Sequence, residues 1–423
     1  MTRATRARRW IAVVLALAFA APAPARALDA RSQTPLGSFG HGSWCWFADP
    51  RAVHVVGQFD ETFAGWIDWA GRVTVGEYDS TFGVMRTHVI AKLFHDDHSA
   101  PSILVEPDQR LTVFYSAHNG TQLYYRSTLR PEDISAWGPV QTIRSRIPGR
   151  LGFTYSNPVL LPDEANQVYL FWRGADYSQD YAVRAIDGAW SPARHLIARP
   201  GERPYVKVAS NGRDTIAFAY TNGHPRERIT SLYYAAYRAG WLWRAGGRPI
   251  APLARGSIAP RQGDLVYNGR TTGVSAWVWD VALDSHQRPV ILYATFRSLA
   301  NHAYWYAHFD GHRWVSHFMT FGGPSISPGT IEQQYSGGMA LDHSDPSIVY
   351  LSRKVRGAFE VERWSTRNGG YSWHHETVVR SRGVDNVRPV VPRGASGGSI
   401  PLLWLRGHYG SYSAYRTRVA FLK

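Results

Sequence analysis

A repeated pair of strands is the feature of this chain that most restricts its fold. A polar turn followed by a short apolar strand occurs six times, at 107–118, 162–174, 210–224, 283–296, 341–354 and 394–408. Each copy is followed, about ten to sixteen residues later, by a second strand, as a β-hairpin requires. The segment 51–80 supplies an earlier hairpin. Seven hairpins at blade-length spacing, with almost no helical periodicity, predict an all-β, seven-bladed β-propeller.

A propeller is one folding unit, so the repeat predicts a single catalytic domain over residues 28–423, and we expect a monomer. The composition agrees, because 17 Trp, 23 Tyr and 17 Phe supply enough apolar surface for a large core. A disordered chain is therefore excluded. Cys45 is the only cysteine in the sequence, which excludes an intrachain disulfide framework and a thiolate metal cluster.

Residues 1–27 have the pattern of a secretory signal peptide. Four arginines precede an apolar run from Trp10 to Ala21, and Ala25-Arg26-Ala27 is a cleavage site of the A-x-A type. The run is too short for a permanent membrane anchor. The pattern predicts a secreted or periplasmic chain that begins at Leu28 and has no stable membrane insertion, with an uncleaved anchor as the alternative.

The charge balance is basic, with 47 Lys+Arg against 32 Asp+Glu and a formal net charge of +15. Outside the cytoplasm, such a charge suits a polyanionic ligand, although an arginine-rich coding bias explains the same balance. Nucleic acid is not the expected partner, because no nucleic-acid-binding module is recognisable. The sequence contains no H-E-x-x-H, G-x-x-x-x-G-K or G-x-G-x-x-G motif, which argues against zincin, nucleotide-dependent and dinucleotide-dependent chemistry.

Residues 366–373 read T-R-N-G-G-Y-S-W. This pattern resembles the Asp-box turn of sialidase-type propellers, with Asn368 where Asp is usual. Such a turn is structural, because its short polar side chain bonds neighbouring backbone groups and its tryptophan, here Trp373, packs between strands. The turn supports the fold and indicates nothing about chemistry.

Ionisable groups concentrate at strand ends in the first half of the chain. Asp96-Asp97-His98 precedes an apolar strand, His118 and Arg173 end strands, and Tyr155 lies in a strand-like stretch. Loops at one face of a propeller converge on its axis. The sequence therefore predicts that His98, His118, Tyr155 and Arg173 meet in one pocket. A turn cap, a satisfied core tyrosine and an ion pair from Arg173 to Asp176 are the structural alternatives.

Several stretches of the chain are similar to one family of propellers. They are WCWFADPRAV (44–53), FHDDHSAPSIL (94–104), FYSAHN (114–119), FTYSNPVLL (153–161), YLFWRG (169–174) and RPYVKVASNG (203–212). These stretches resemble the BNR-repeat propellers that include ulvan lyases and rhamnosyl-glucuronate lyases. The resemblance implies a seven-bladed propeller that cleaves the linkage between L-rhamnose and C4 of glucuronic acid by β-elimination, which breaks the C4–O4 bond. One relative in that superfamily is instead a glycoside hydrolase for the same linkage.

The resemblance also implies which residues are catalytic. The family's two active-site histidines, its tyrosine and its arginine correspond to His98, His118, Tyr155 and Arg173. Two departures lie beside these positions: Ser99-Ala100 stands where the family often has Asn-Asn, and Ser156 stands where it often has Pro. Both bear on the identity of the bound polysaccharide more than on the reaction type.

These residue types suit a β-elimination. An arginine fork neutralises the uronate carboxylate and stabilises the charge that develops when the C5 proton leaves. Histidine titrates near neutral pH and serves as base or acid, and a tyrosine beside arginine can have a lowered pKa. We favour His98 or Tyr155 as the base, with His118 positioning the substrate or protonating the leaving group.

Further strand-end residues are candidates for binding flanking sugars or carboxylates, although solvated loop positions explain them equally well. They are Asn157, Arg203, Tyr205, Lys207 and His224. No cofactor is required and no metal ligand is predicted, because the zinc site reported for some family members uses cysteines. The sequence leaves open whether a structural calcium ion is bound in the central channel.

The leading hypothesis is therefore a secreted lyase acting on an acidic polysaccharide of the ulvan or arabinogalactan type. Two alternatives remain. The first is a glycoside hydrolase for the same linkage, using other residues near His41 on a different face. The second is a propeller that binds an acidic glycan without cleaving it.

Overall fold

Seven antiparallel sheets surround one central axis in the computed structural model, which describes residues 37–150, 152–380, 383–394 and 400–422. The fold is thus the predicted seven-bladed β-propeller. The predicted signal peptide, residues 1–27, lies outside the described residues. In the described ranges, no helix is long and apolar enough to cross a membrane.

The chain enters the fold with β1 (Gly37–His41), which forms the outer edge of the last blade. The first three blades then follow in chain order. Blade 1 consists of β2 (Ala52–Val56), β3 (Asp60–Ile67), β4 (Arg72–Asp79) and β5 (Val84–Lys92). Blade 2 consists of β6 (Ser102–Val105), β7 (Leu111–Tyr115), β8 (Leu123–Arg130), β9 (Asp133–Trp137) and β10 (Gln141–Ile143). Blade 3 consists of β11 (Thr154–Leu161), β12 (Gln167–Arg173), β13 (Gln179–Arg184) and β14 (Arg194–Ile197).

The remaining four blades continue the same order, and blade 4 is the largest. It consists of β15 (Tyr205–Ser210), β16 (Thr215–Thr221), β17 (Leu232–Arg238), β18 (Trp241–Trp243), β19 (Pro249–Pro252) and β20 (Asp264–Tyr267). Blade 5 consists of β21 (Ala276–Leu283), β22 (Pro289–Thr295), β23 (His302–Phe309) and β24 (Trp314–Gly323). Blade 6 consists of β25 (Met339–Leu341), β26 (Ile348–Val355), β27 (Ala358–Ser365) and β28 (His374–Val379). Blade 7 consists of β29 (Asn386–Val390), β30 (Leu402–Ser411), β31 (Ala414–Leu422) and β1.

Helical structure within the described residues is limited to short turns. One α-helical turn, α1 (Gly269–Thr272), lies between blades 4 and 5. The 3₁₀ turns are Asp97–Ser99, Pro162–Glu164, Leu253–Arg255 and Pro260–Gln262. The first of these turns carries His98 directly before the innermost strand of blade 2.

The ring closes by pairing the two ends of the described chain. β1 runs antiparallel to β31, with Gly37 opposite Phe421 and His41 opposite Arg418. Blade 7 therefore contains three C-terminal strands and one N-terminal strand. This closure fixes the first and last blades to each other, so loops from blade 7 can contribute to a site that begins in blade 1.

The inner strands of the sheets bury both of their faces against neighbouring blades. In β30, Leu403 and Leu405 belong to the large core that includes Phe39 and Trp66, whereas Trp404 packs in a separate cluster with blade 6. Successive residues of a strand point to opposite faces. The inner strands consequently read as continuous apolar runs, whereas an outer strand such as β31 alternates exposed and buried residues over its first half.

The segment 43–50 crosses the central axis and closes the channel. Trp44 and Trp46 are each 1% exposed. Hydrogen bonds join the segment to four blades, from Asn157 to the Phe47 carbonyl, from Lys207 to the Trp46 carbonyl, from Arg388 to the Trp44 carbonyl, and from the Trp46 indole to the Val278 carbonyl. The segment separates an upper cavity from a lower one, and the two cavities are lined by different residues.

The turn at 366–373 has the structural role expected of it. The Asn368 Oδ1 accepts the Ser372 backbone N–H at 3.0 Å, and the Thr366 hydroxyl accepts the Gly370 N–H at 2.9 Å. Trp373 packs edge-on against Tyr306, with ring centroids 5.2 Å apart. The turn thus fastens the outer strand of blade 6 to blade 5.

Candidate active site

The upper cavity, of about 170 Å³, is built from two kinds of backbone segment. One kind is the start of an innermost strand, which supplies Tyr155 and Tyr205. The other is the loop between the second and third strands of a blade, which supplies His118 in blade 2 and Tyr412 in blade 7. Antiparallel pairing brings both kinds of segment to the same end of a blade. We call this end the upper face.

Asp96 holds His98 and His118 side by side. Its Oδ1 lies 2.7 Å from the His98 Nδ1, and its Oδ2 lies 2.9 Å from the His118 Nδ1. The two imidazole rings stack with centroids 4.0 Å apart and planes 3° apart. Because an ionised carboxylate only accepts hydrogen bonds, both Nδ1 atoms carry protons. In neutral His118 the lone pair is therefore on Nε2, the atom that is left for the cavity.

The charges of this group follow from its burial. Although burial alone raises the pKa of Asp96, the neighbouring His98 and the hydrogen bonds from both histidines hold that pKa well below its usual value. Burial, together with the neighbouring charge of His98, lowers the pKa of His118 to about 4. At neutral pH, Asp96 is an anion and His118 is neutral, which leaves His118 able to accept a proton.

Tyr155 lies in a bulge at the start of β11. Its φ is +63°, and the register with β12 shifts between Thr154 and Asn157. The ring contacts His98, with centroids 5.4 Å apart. The sequence suggested a lowered pKa for Tyr155, and here the structure differs: burial raises the pKa well above its usual value, and the nearby Arg173 does not compensate. The Tyr155 hydroxyl therefore stays protonated at neutral pH.

Arg173, at the end of β12, is 2% exposed and lies directly behind the cavity wall. Its Nη1 donates to the Tyr205 hydroxyl at 3.2 Å, and its Nη2 donates to the Asn119 Oδ1 at 3.1 Å. The guanidinium also lies 4.7 Å from the centre of the Tyr155 ring. In the described part of the chain, no carboxylate lies within ion-pair distance of Arg173, and its Nε has no hydrogen-bond partner. Two other buried arginines, Arg51 and Arg388, do have carboxylate partners.

A second arginine lines the opposite edge of this wall. Arg203 lies 4.2 Å from the centre of the Tyr177 ring and 5.2 Å from that of Tyr205, and its Nη1 pairs with Glu227 at 2.7 Å. The Tyr177 ring also lies 5.6 Å from the Arg173 guanidinium. The guanidinium groups of Arg173 and Arg203 therefore both lie near the rings of Tyr177 and Tyr205.

His224 is 2% exposed and is held on both sides. Its Nδ1 accepts the Arg226 backbone N–H at 3.1 Å, and its Nε2 lies 3.2 Å from the Glu332 Oε2. Burial lowers the pKa of His224. Since Arg226 also pairs with Glu332, this part of the wall is a fixed polar network that joins blade 4 to the segment before blade 6.

Two of the other sequence candidates lie away from the upper cavity. The Asn157 side chain donates to the Phe47 and Tyr155 carbonyls and accepts the Asp49 N–H, so it fixes the backbone beside Tyr155. Lys207 is fully buried in the central channel, where it pairs with Asp49. His41, the alternative centre, stacks on Trp69 at 4.0 Å at the outer edge of blade 7.

The sequence missed the residues that later blades contribute to this cavity. Tyr412, at the tip of the β30–β31 hairpin, places its ring edge against His98 and His118 at centroid distances of 4.9 and 5.8 Å. Trp277, Glu332 and Tyr335 complete the wall. Asn119 was also missed, although its position directly after His118 was the available signal.

Four of the eleven described non-glycine residues with positive φ lie at or beneath the cavity. Asn119, Tyr155, Tyr177 and Arg388 have φ values of +58°, +63°, +68° and +52°. Such conformations cost roughly 1–3 kcal/mol each for ordinary residues, and they cluster at functional sites. Each of these residues either lines the cavity or holds the segment beneath it.

Potential metal ligands also lie here, but their chemistry favours hydrogen bonding. Asp96, His98 and His118 place ligand atoms within 4.8 Å of one another, yet their closest atoms already form the hydrogen bonds described above. Cys45 groups similarly with Asp97 and His98. Burial raises the pKa of Cys45 to about 12, so this thiol stays protonated and is a poor metal ligand.

Comparison with solved structures gives similarities at low sequence identity, of which the one to Uly1 supports the fold. The polysaccharide lyase Uly1 is 12% identical, with 95% of this chain and 94% of that chain covered and a TM-score of 0.57. The BP39L lectin from Burkholderia pseudomallei is 13% identical, with 88% and 99% covered and a TM-score of 0.48. The β-propeller domain of the Trilobed protease from Pyrococcus furiosus is 10% identical, with 90% and 94% covered and a TM-score of 0.45.

At these identities, the structural likeness shows the fold alone. Comparison with curated protein sequences gives no match. A family model described as "BNR repeat-containing family member" matches residues 61–321. Because that match spans more than half of the sequence and runs from blade 1 into blade 5, the chain belongs to the BNR repeat-containing family.

Proposed function

We propose that the protein is a polysaccharide lyase that cleaves the L-rhamnose-(1,4)-glucuronic acid linkage of an acidic polysaccharide by β-elimination in the upper cavity. The observation that carries the proposal is the hydrogen bonding of Asp96. By accepting the Nδ1–H of both His98 and His118, it fixes the orientation of both rings and leaves the Nε2 of His118 as a basic atom beside the cavity. A solved polysaccharide lyase with the same fold supports the assignment.

His118 is the proposed base. It is the more exposed of the two histidines, with 24% of its side chain accessible against 5% for His98. Its lowered pKa keeps Nε2 unprotonated at neutral pH. A base must be unprotonated to remove the C5 proton, so His118 takes that role and His98 supports the ring by stacking on it.

Arg173 stabilises the substrate carboxylate through two neutral donors. Because the Asn119 Oδ1 accepts from Arg173, the Asn119 amide N–H₂ is directed elsewhere, and Asn119 lines the cavity. Likewise, the Tyr205 hydroxyl accepts from Arg173 and keeps its own proton for donation. A buried cation without a carboxylate partner is costly, and an anionic group at this wall would offset that cost.

Tyr155 is the proposed acid. Its hydroxyl stays protonated because burial raises its pKa, and its ring contacts His98. In the reaction, the C5–H bond breaks as His118 accepts the proton, a C4=C5 double bond forms, and the C4–O4 bond breaks. Tyr155 then donates its proton to O4, which leaves as the anomeric hydroxyl of rhamnose.

The arrangement of carboxylates favours elimination over hydrolysis. Most glycoside hydrolases use two carboxyl groups that flank the scissile bond. Among the described residues that line the upper cavity, Glu332 is the one carboxylate. It is held by Arg226 and His224, which lowers its pKa and makes it a poor proton donor.

Product analysis with ulvan tests the proposed function. A lyase gives a fragment with an unsaturated uronate at its non-reducing end, lighter by one water molecule than the hydrolytic fragment. Mass spectrometry of the products should show the unsaturated fragment for the wild type and its loss for His118→Ala. Saturated fragments would assign hydrolysis, and ulvan that is bound but uncut would assign a glycan-binding propeller.

A further inference from the structure

The β30–β31 hairpin of blade 7 carries an exposed basic surface that ends at the upper cavity. Arg406 lies opposite Arg418, and His408 lies opposite Arg416, across the two strands. Directly opposed residues of an antiparallel pair share one face of the sheet, as do residues two apart on one strand. All four side chains therefore project from the same face, which we call the basic track.

Among the described residues, no carboxylate neutralises the positive charges of the basic track. Arg416, Arg418 and His408 are exposed, and Arg406 is partly buried. In the described ranges, none of the four has a carboxylate within ion-pair distance; Arg406 donates only to the neutral Asn386 amide oxygen, at 3.0 Å. By contrast, the exposed arginines Arg110 and Arg213 elsewhere in the molecule do pair with aspartates.

Placing Arg406 directly opposite Arg418 is unfavourable for the sheet itself. Like charges in directly opposed positions destabilise a strand pair. Burial and the nearby charge of Arg418 both lower the pKa of Arg406. Nothing in the described packing of blade 7 compensates for this repulsion, whereas a bound anion would.

The track leads directly to the site of the proposed chemistry. The hairpin tip carries Tyr412, whose ring edge contacts His98 and His118. From Ala414, the first residue of β31, the strand runs away from the hairpin tip past Arg416 to Arg418, roughly 13 Å away at about 3.3 Å per residue. A polymer that leaves the cavity at Tyr412 thus has a row of cations beside its path.

We propose that the basic track is an extended subsite that binds anionic groups on the sugars flanking the cleaved linkage of the acidic polysaccharide. The proposal rests on the proposed function for the identity of the ligand. It assigns the polymer a direction, outward from the cavity along the β30–β31 hairpin. It also assigns the enzyme a preference for long, repeatedly charged chains over short ones.

The test compares Arg416→Gln/Arg418→Gln with the wild type. The matched control is Arg238→Gln/Arg255→Gln, which removes the same charge from two exposed arginines of blade 4 that also lack an ion-paired carboxylate among the described residues. Binding of ulvan is measured by affinity electrophoresis, and cleavage is measured on ulvan and on a short ulvan oligosaccharide. We expect binding of ulvan to weaken about threefold to tenfold in the track variant, since exposed charge pairs are individually weak, with unchanged kcat on the oligosaccharide.

Each outcome separates this inference from the proposed function. If the wild type binds ulvan and the track variant binds it as tightly as the control does, the track is not a subsite. If the wild type binds ulvan without cleaving it, the lyase assignment fails while the binding comparison still decides the track. If the track variant loses affinity equally for double-stranded DNA, the surface is a general anion site and the proposed polysaccharide subsite is overturned.

Discussion

Asp96 is the residue on which the proposed chemistry depends most, although it does not line the cavity. It accepts one hydrogen bond from each histidine, through a different oxygen. The adjacent Asp97 lies 3.3 Å from the His98 Nδ1, but its shortest contact is with Arg388, with which it pairs at 2.5 Å in the fully buried interior. Two neighbouring aspartates therefore offer a direct separation of a positioning role from a structural one.

Asp96→Asn should reduce kcat by on the order of 1000-fold, because the amide cannot accept from both Nδ1 atoms and one ring loses its required tautomer. The pH profile should change as well, since the histidines lose the carboxylate between them. Asp97→Asn should instead destabilise the fold by about 3–5 kcal/mol by leaving Arg388 buried and unpaired. Thermal unfolding and kinetics on both variants check this. Equal effects on both properties would contradict the division of roles.

The pH dependence of kcat/KM follows from the pKa of His118. Its pKa is lowered to about 4, so the base is unprotonated above that pH, and kcat/KM should rise through pH 4 and reach a plateau near neutrality. The folded form also binds fewer protons than the unfolded chain does between pH 4 and the ordinary histidine pKa near 6.5. Stability should therefore fall as the pH drops through that window. A rise in kcat/KM centred near pH 6.5 would contradict the assignment of His118 as the buried base.

Arg173→Lys tests the relay through Asn119 and Tyr205. Lysine keeps the charge but loses the planar fork that reaches both partners. We expect kcat to fall about 100-fold, in the range found when one preorganised donor is lost, with a much smaller change in melting temperature. If Arg173→Lys has the same kcat as the wild type, a point charge is sufficient at this position.

At the scale of elements, the sequence predicted the hairpins well and the innermost strands poorly. Six of the seven hairpins recognised in the sequence are the second and third strands of their blades, which are the most continuous apolar runs. The innermost strands were less visible, because short strands such as β6 and β25 merge into turns. The bulge that orients Tyr155 depends on pairing with β12, so it has no local sequence signal.

The turn at 366–373 is an element whose contribution can be measured. Asn368→Ala removes the acceptor for the Ser372 N–H and should destabilise the fold by about 1 kcal/mol, the usual value of one such hydrogen bond. Asn368→Asp keeps the acceptor and should be close to neutral in chemical denaturation. Equal destabilisation by both substitutions would show that the amide donor to Ser372, rather than the acceptor, matters.

At the scale of the whole molecule, ring closure explains why only part of the site was predictable. His98, His118, Tyr155 and Arg173 come from blades 2 and 3 and from the segment before them, and local patterns mark them. Tyr412 and Glu332 are far away in sequence, and only closure through β1 and β31 brings blade 7 beside blade 1. Long-range contacts of this kind leave no spacing that a single sequence reveals.

The most direct test of the central claim compares ulvan with carboxyl-reduced ulvan. The proposed elimination requires an ionisable carboxylate beside C5, because Arg173, Asn119 and Tyr205 stabilise charge that develops there. The wild type should generate ultraviolet-absorbing, unsaturated uronate from ulvan and leave the carboxyl-reduced polymer uncut. Cleavage of both polymers at similar rates would contradict carboxylate neutralisation, and with it the assignment of the upper cavity as the active site of a lyase.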